Sequence, residues 1–131
     1  FLLSPILGKL VDKYGSKLFA VIGSLIIILS CVVSLFNTNI LFLKIGLYLL
    51  GLGWNFTYIA ISSAISNYSI SNGINLNIKS DSLVFVGSSI AHISLGFTYL
   101  NFGYTNLIYF GLLIGGYLLF SVKKFTSLKS L

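Results

Sequence analysis

Residues able to do acid–base or metal chemistry are few in this chain of 131 residues. It holds two carboxylates, Asp12 and Asp81, a single histidine, His92, and a single cysteine, Cys31. Metal sites and acid–base pairs need several such groups close together, whereas these are scattered along the sequence. We therefore predict no enzymatic activity, no metal site and no cofactor.

Polar side chains that interrupt long apolar segments are the better candidates for function. Such groups are costly at membrane depth and usually face a bundle interior or a wet cavity. His92 lies near the middle of an apolar run, where an imidazole could relay protons, bind a solute or hydrogen-bond a neighbouring helix. Asn55 could likewise bind a solute or join helices, and Trp54 could stack on a ligand or simply pack. The candidate pathway residues are Trp54, Asn55, Ser62, Ser88 and His92.

The apolar segments that carry these residues are long enough to cross a bilayer. Hydrophobic residues make up 56% of the chain and charged residues only 8%, whereas a soluble domain has about 25% charged residues. A spanning helix needs roughly 20 mostly apolar residues. Four runs meet this requirement: 18–36, 40–66, 82–100 and 105–122. Residues 1–8 resemble the end of a fifth. The predicted fold class is an all-α, polytopic transmembrane bundle.

The lysines predict the orientation of these spans. Seven of the eight lysines lie in the predicted loops 9–17 and 67–81 or in the tail 123–131. With four spans these segments share one side of the membrane, which the positive-inside rule identifies as the cytoplasm. The exception, Lys44, can extend its charged end outward along its stem. We expect an integral protein of a bacterial plasma (inner) membrane with a cytoplasmic C-terminus.

The first predicted loop carries a motif. Residues 8–17 read Gly-Lys-Leu-Val-Asp-Lys-Tyr-Gly-Ser-Lys and resemble the signature loop of the major facilitator superfamily, G-x-L-x-D-[RK]-x-G-x-[RK]. The resemblance implies a fold of two six-helix halves that move as rocking bundles around a central site. It also implies that the loop latches neighbouring helices in one conformational state. The residues to which it assigns this role are Gly8, Asp12, Lys13, Gly15 and Lys17.

The chemistry of the same residues also allows a simpler role. Gly8 and Gly15 permit close approach of backbones or a sharp turn. Asp12 precedes the next predicted span by about one turn, where the helix dipole favours a carboxylate. The alternative to a latch is therefore a basic cytoplasmic loop in which Asp12 caps a helix.

A second resemblance concerns the part of the transporter that the chain represents. Residues 51–56, Gly-Leu-Gly-Trp-Asn-Phe, and 80–87, Ser-Asp-Ser-Leu-Val-Phe-Val-Gly, look like the C-terminal half of certain bacterial members. The chain would then run from the end of helix 8 through helix 12, and the competing placement is the end of helix 2 through helix 6. Because the chain opens inside an apolar run, we expect a fragment. The resemblance places the spans 18–36 and 105–122 at the periphery.

The sequence thus predicts secondary active transport of a small solute by alternating access. The expected partners are that solute, a proton as candidate coupling ion, the lipid bilayer and the missing other half of the transporter. Nucleic acid is not expected despite the net charge of +6, because the lysines form no patch or stripe. The alternative is a non-transporting membrane scaffold, sensor or assembly subunit with the same fold.

Overall fold

The computed structural model describes residues 4–36, 39–73 and 76–127, and all regular structure in these ranges is α-helical. The helices are α1 (Ser4–Tyr14), α2 (Ser16–Leu35), α3 (Ile40–Asn72) and α4 (Asn77–Ser127). The last three are long and apolar enough to cross a membrane. The predicted all-α class is therefore confirmed. Parts of four predicted segments lie outside the described residues: the stub 1–8, the turn 37–39, the loop 67–81 and the tail 123–131.

The helices extend well into the segments predicted as loops. α1 continues to Tyr14, so Gly15 alone separates it from α2. α3 continues through residues 67–72, and α4 begins at Asn77 instead of residue 82. A helix that leaves the membrane keeps its internal hydrogen bonds while its side chains become polar. Hydropathy therefore marks where the apolar part of a helix ends, not where the helix ends.

α2 is the central helix of the bundle and contacts each of the other three. The resemblance places this span at the periphery of a complete transporter, and that placement stays a prediction. Within this chain, small residues line the face of α2 that packs on α3. Gly23 of α2 faces Gly53 of α3, and a Cβ placed on either glycine would lie 2.9 Å from the carbonyl oxygen of the other. A Cβ on Gly46 would lie 3.3 Å from the carbonyl oxygen of Ser30. From the first contact to the second, the residue number rises from 23 to 30 in α2 and falls from 53 to 46 in α3. The two helices are therefore antiparallel.

The end of α4 packs on another face of α2. A Cβ placed on Gly111 would lie 2.9 Å from the Cys31 sulfur, and one on Gly115 would lie 2.8 Å from Cγ1 of Ile28. This part of α4 is therefore antiparallel to α2. Two turns beyond these contacts, Val122 packs against a buried cluster at the start of α2. The cluster contains Leu7, Val11, Phe19, Ala20 and Ala60.

α4 reverses direction at Gly103, whose φ of 77° and ψ of 175° are not helical. Asp81, near the start of α4, shares a cavity with Ser62 of α3, and Val122 packs against the cluster that contains Ala60. A continuous helix would separate Asp81 from Val122 by about 60 Å, so the chain must fold back between them. Residues 77–102 (the first arm) and 104–127 (the second arm) form a helical hairpin. Its bend lies in the predicted turn at 101–104.

The connection between α3 and α4 is held by its own hydrogen bonds. Gly73 ends α3 in the left-handed conformation, with φ of 64°, which a glycine adopts without steric cost. The buried Ser69 hydroxyl accepts a hydrogen bond of 3.1 Å from the backbone N–H of Leu76. This contact joins the last turns of α3 to the start of α4.

We predict that Gly53→Ala destabilises the protein, because the new methyl would lie within 3.0 Å of the α2 backbone. Overpacking of this kind costs about 1–3 kcal/mol. Urea unfolding in detergent measures the change. The matched control is Gly51→Ala in the same helix, where no described atom lies within 4 Å of the added carbon. Equal effects of the two substitutions would show that α2 and α3 do not approach as described.

Candidate functional site

Residues 8–17, which carry the motif, lie at one end of the bundle. The α1–α2 junction, the last turns of α3 and the start of α4 come together at this end. We refer to it as the basic end, because four exposed lysines lie near it: Lys9, Lys13, Lys17 and Lys79. A stacked aromatic pair supports this end, since the rings of Phe19 and Phe56 are 5.9 Å apart.

Gly15 makes the turn that joins α1 to α2. Its φ of 91° and ψ of 140° lie in a region that L side chains rarely adopt, so a residue with a Cβ would be strained there. Its N–H donates to the carbonyl oxygen of Val11 at 2.8 Å and closes the last turn of α1. The sharp turn expected of this glycine is present.

Asp12 does not cap α2, which corrects the simpler interpretation of the motif. α1 extends through Tyr14, so Asp12 lies in the last turn of α1, where the helix dipole disfavours a carboxylate. The N-cap position of α2 is Gly15, which has no side chain to accept a hydrogen bond, and the first turn of α2 contains no acidic residue. The Asp12 carboxylate therefore interacts with neither helix terminus and contacts another part of the bundle instead.

That interaction is a contact with α3. The Ser63 hydroxyl donates a hydrogen bond to Oδ1 of Asp12 at 3.3 Å, between residues 51 positions apart in the sequence. A hydrogen bond to an ionised carboxylate is stronger than one between neutral groups. The hydrogen bond is exposed, so water can replace either partner when the helices separate. The contact is therefore a weak, reversible connection between α1 and α3.

The other motif residues make fewer contacts. Among the described residues, no atom lies within 4 Å of a Cβ placed on Gly8, so its open face is free for close approach by another backbone. Lys13 places its ammonium 5.3 Å from the centre of the Tyr14 ring, in cation–π range. Lys17 is exposed in the first turn of α2.

Two of the predicted pathway residues meet on the first arm of α4. Nδ1 of His92 lies 2.6 Å from the carbonyl oxygen of Ser88. A carbonyl can only accept, so Nδ1 carries the proton in this contact. The Ser88 hydroxyl donates to the carbonyl oxygen of Phe85 at 2.9 Å. All residues from Ser89 to Phe97 are exposed, His92 included.

The other three pathway residues lie on α3 and do not form one site. Trp54 is exposed, whereas Asn55 is half-buried and already has an interaction partner. Ser62 lies two turns further along and lines a cavity between α3 and α4 that neither Trp54 nor His92 borders. The pathway hypothesis for these side chains stays a prediction.

This cavity, of about 310 Å³, contains polar groups that were not predicted as site residues. Its lining consists of Tyr58, Ser62, Ile65 and Ser66 of α3 and of Asn77, Ser80 and Asp81 of α4. The spacing of Tyr58, Ser62 and Ser66, four residues apart, could have shown that they share a helix face. Nothing in the sequence indicates that this face meets the start of α4.

Comparisons with models of known protein families, with curated proteins and with solved structures find no match. The resemblance to the major facilitator superfamily therefore depends on the residues of the motif and on their context in this chain.

We predict an energetic coupling between Asp12 and Ser63. A double-mutant cycle with Asp12→Asn and Ser63→Ala should give a coupling free energy of about 0.5–1 kcal/mol, because the bond is charge-assisted but exposed. Urea unfolding of the four proteins measures it. Ser62→Ala is the control, because Ser62 is the sequence neighbour of Ser63 but lines the cavity instead. A coupling of zero for Asp12 with Ser63 would contradict the contact.

Proposed function

We propose that this chain is part of a secondary transporter that moves a small solute by alternating access, similar to the major facilitator superfamily. The observation that carries the proposal is the hydrogen bond from Ser63 to Asp12. The motif resemblance gives Asp12 a role in holding neighbouring helices together, and this contact connects α1 to α3. A cap on α2, the alternative role for Asp12, is not what the geometry provides.

The proposed topology has four complete spans and the end of a fifth. α2 and α3 supply two spans, and the hairpin of α4 supplies the others, because each arm exceeds the roughly 20 residues needed to cross. In this arrangement the basic end faces the cytoplasm of a bacterial cell, in accord with the positive-inside rule.

We propose that the Asp12–Ser63 bond acts as the latch. Its formation favours the state in which α1 lies against the last turns of α3, and its rupture permits the other state. A coupling of about 1 kcal/mol changes the ratio of two such states about fivefold. The latch would therefore bias the transport cycle without blocking it.

The proposed pathway lies along α3 and the first arm of α4. Large apolar side chains cover the exposed surface of this arm, and polar groups interrupt it at Ser88 and His92. Polar groups within a spanning helix usually face other protein or water and not lipid. The missing half of the transporter would face this surface.

We predict that topology mapping places the two ends of α4 on one side of the membrane. Single cysteines at Asn77 and Ser127 should react with an impermeant maleimide from the cytoplasmic side, and one at Asn101 only from the opposite side. The buried native Cys31 is first replaced by alanine. Reaction of Asn77 and Ser127 from opposite sides would overturn the four-span topology.

We also predict that the pathway residues are reached by water from both sides. Cysteines at Asn55 and His92 should react with an impermeant reagent added to either side, since alternating access opens the cavity to each in turn. Thr57→Cys is the control, because Thr57 is buried between α2 and α3 and should not react. Lack of reaction at Asn55 and His92 from both sides would favour a non-transporting scaffold.

A further inference from the structure

We propose that the cavity between α3 and the start of α4 is a binding site for a small hydroxylated organic ammonium ion. That this ion is the transported solute rests on the proposed function. That it binds in the cavity rests on the cavity alone. None of its defining groups except Ser62 is among the predicted pathway residues.

One wall of the cavity belongs to a single face of α3. Tyr58, Ser62 and Ser66 follow one another at intervals of one helical turn, and all three are half-buried. The small residues Gly53, Thr57 and Ala60, which are buried, occupy a different face. α3 therefore packs on α2 with one face and presents a row of hydroxyl groups to α4 with another.

The opposite wall belongs to the first turn of α4. Asn77, Ser80 and Asp81 are three and four residues apart and share one face. The Ser69–Leu76 hydrogen bond fixes the start of α4 close to α3 and so holds the two walls together. Asn77 and Asp81 are exposed at the rim, which leaves the cavity open for entry.

The hydroxyl groups in the cavity differ from most others on these helices. Ser82, Ser89, Ser94 and Thr98 donate to backbone carbonyls of their own helix, at 2.8–2.9 Å. Within the described part of the chain, the side chains of Ser62, Ser66 and Tyr58 make no hydrogen bond. Their donors and acceptors are available to a ligand.

Asp81 is the one charged side chain among the residues that line the cavity. Among the described residues no lysine forms an ion pair with it. The nearest lysine in sequence, Lys79, does not line the cavity but borders an adjacent, more apolar groove, which shares Ile65 and Ser80 with it. A carboxylate without a cationic partner attracts a cation and disfavours an anion. A ring such as that of Tyr58 can add a cation–π contribution.

The size of the cavity limits the ligand. A volume of about 310 Å³ is at the lower end of small-molecule sites and far exceeds that of a bare metal ion. An ammonium group would bind Asp81 at the rim, and a hydroxyl group would reach Ser62 or Ser66 deeper in. A wholly apolar ligand would leave these hydroxyl groups without partners, which is unfavourable.

Equilibrium dialysis of radiolabelled ethanolamine, charged at pH 7, against the intact protein in detergent tests the proposal. We expect saturable binding that Asp81→Asn weakens at least about tenfold, as expected for loss of a charged hydrogen-bond partner. Asp81→Glu should retain binding within about threefold. Ser82→Ala should not change it, because its hydroxyl donates to Ile78. Absence of saturable binding, or equal binding to wild type and Asp81→Asn, would overturn the site.

Two further measurements keep the result interpretable. Ser66→Leu should fill the cavity and reduce binding by a similar factor without removing a charge, and size-exclusion chromatography verifies that each variant is folded. Ethylene glycol, the uncharged analogue, should compete at least tenfold less well, and equal competition would contradict the role of Asp81.

Binding and transport can fail separately. Saturable, Asp81-dependent binding with no flux of ethanolamine into proteoliposomes would leave the site and remove the proposal that this ion is transported. Cysteines at Asn55 and His92 that react from both sides, combined with no ethanolamine binding, would leave transport and overturn the site.

Discussion

The bundle depends on the contact between the backbones of α2 and α3 at Gly23 and Gly53. Each glycine leaves room for the other's carbonyl oxygen, which a Cβ would meet at 2.9 Å. Between membrane helices there is little hydrophobic driving force, since lipid is as apolar as leucine, and close packing must replace it. The same device recurs where Gly111 and Gly115 of the second arm meet α2. α3 and the second arm both pack on α2. The bend at Gly103 therefore determines where the first arm lies relative to them.

Hydroxyl groups have two different uses in this molecule. Inside the helix contacts, Ser24, Ser30 and Thr57 donate to carbonyl oxygens of their own helices at 2.7–2.9 Å, which satisfies them without a partner helix. At the basic end Ser63 donates to the Asp12 carboxylate, and Ser69 accepts from the backbone of Leu76. The first use makes a polar side chain compatible with an apolar surrounding. The second joins different helices, so it depends on their positions.

The sequence predicts the helical class and the position of the bend near Gly103, because long apolar runs and a polar, glycine-containing turn are local patterns. It also predicts the turn at Gly15. It does not predict that α2 is central, because Gly23 and Ser24 form no recognisable local pattern within an apolar run. Their effect comes only from the space that their small side chains leave for a neighbouring helix. The Asp12–Ser63 contact and the cavity are likewise not predictable from local patterns. Both depend on which face of α3 packs on α2, where Gly23 and Gly53 meet.

Gly15 has a mechanical consequence, because a linker of one residue contributes only two torsion angles. α1 and α2 therefore behave as two rods joined by a pivot, and a tilt of either rod displaces nearby atoms by an amount that grows with distance from the joint. The Asp12 backbone lies about 4.5 Å along α1 from Gly15. A tilt of about 20° would move it by roughly 1.5 Å, enough to stretch a hydrogen bond of 3.3 Å beyond bonding distance. Asp12 thus lies close enough to the joint to stay near α3. It also lies far enough from the joint that a modest change in the angle between α1 and α2 breaks its hydrogen bond.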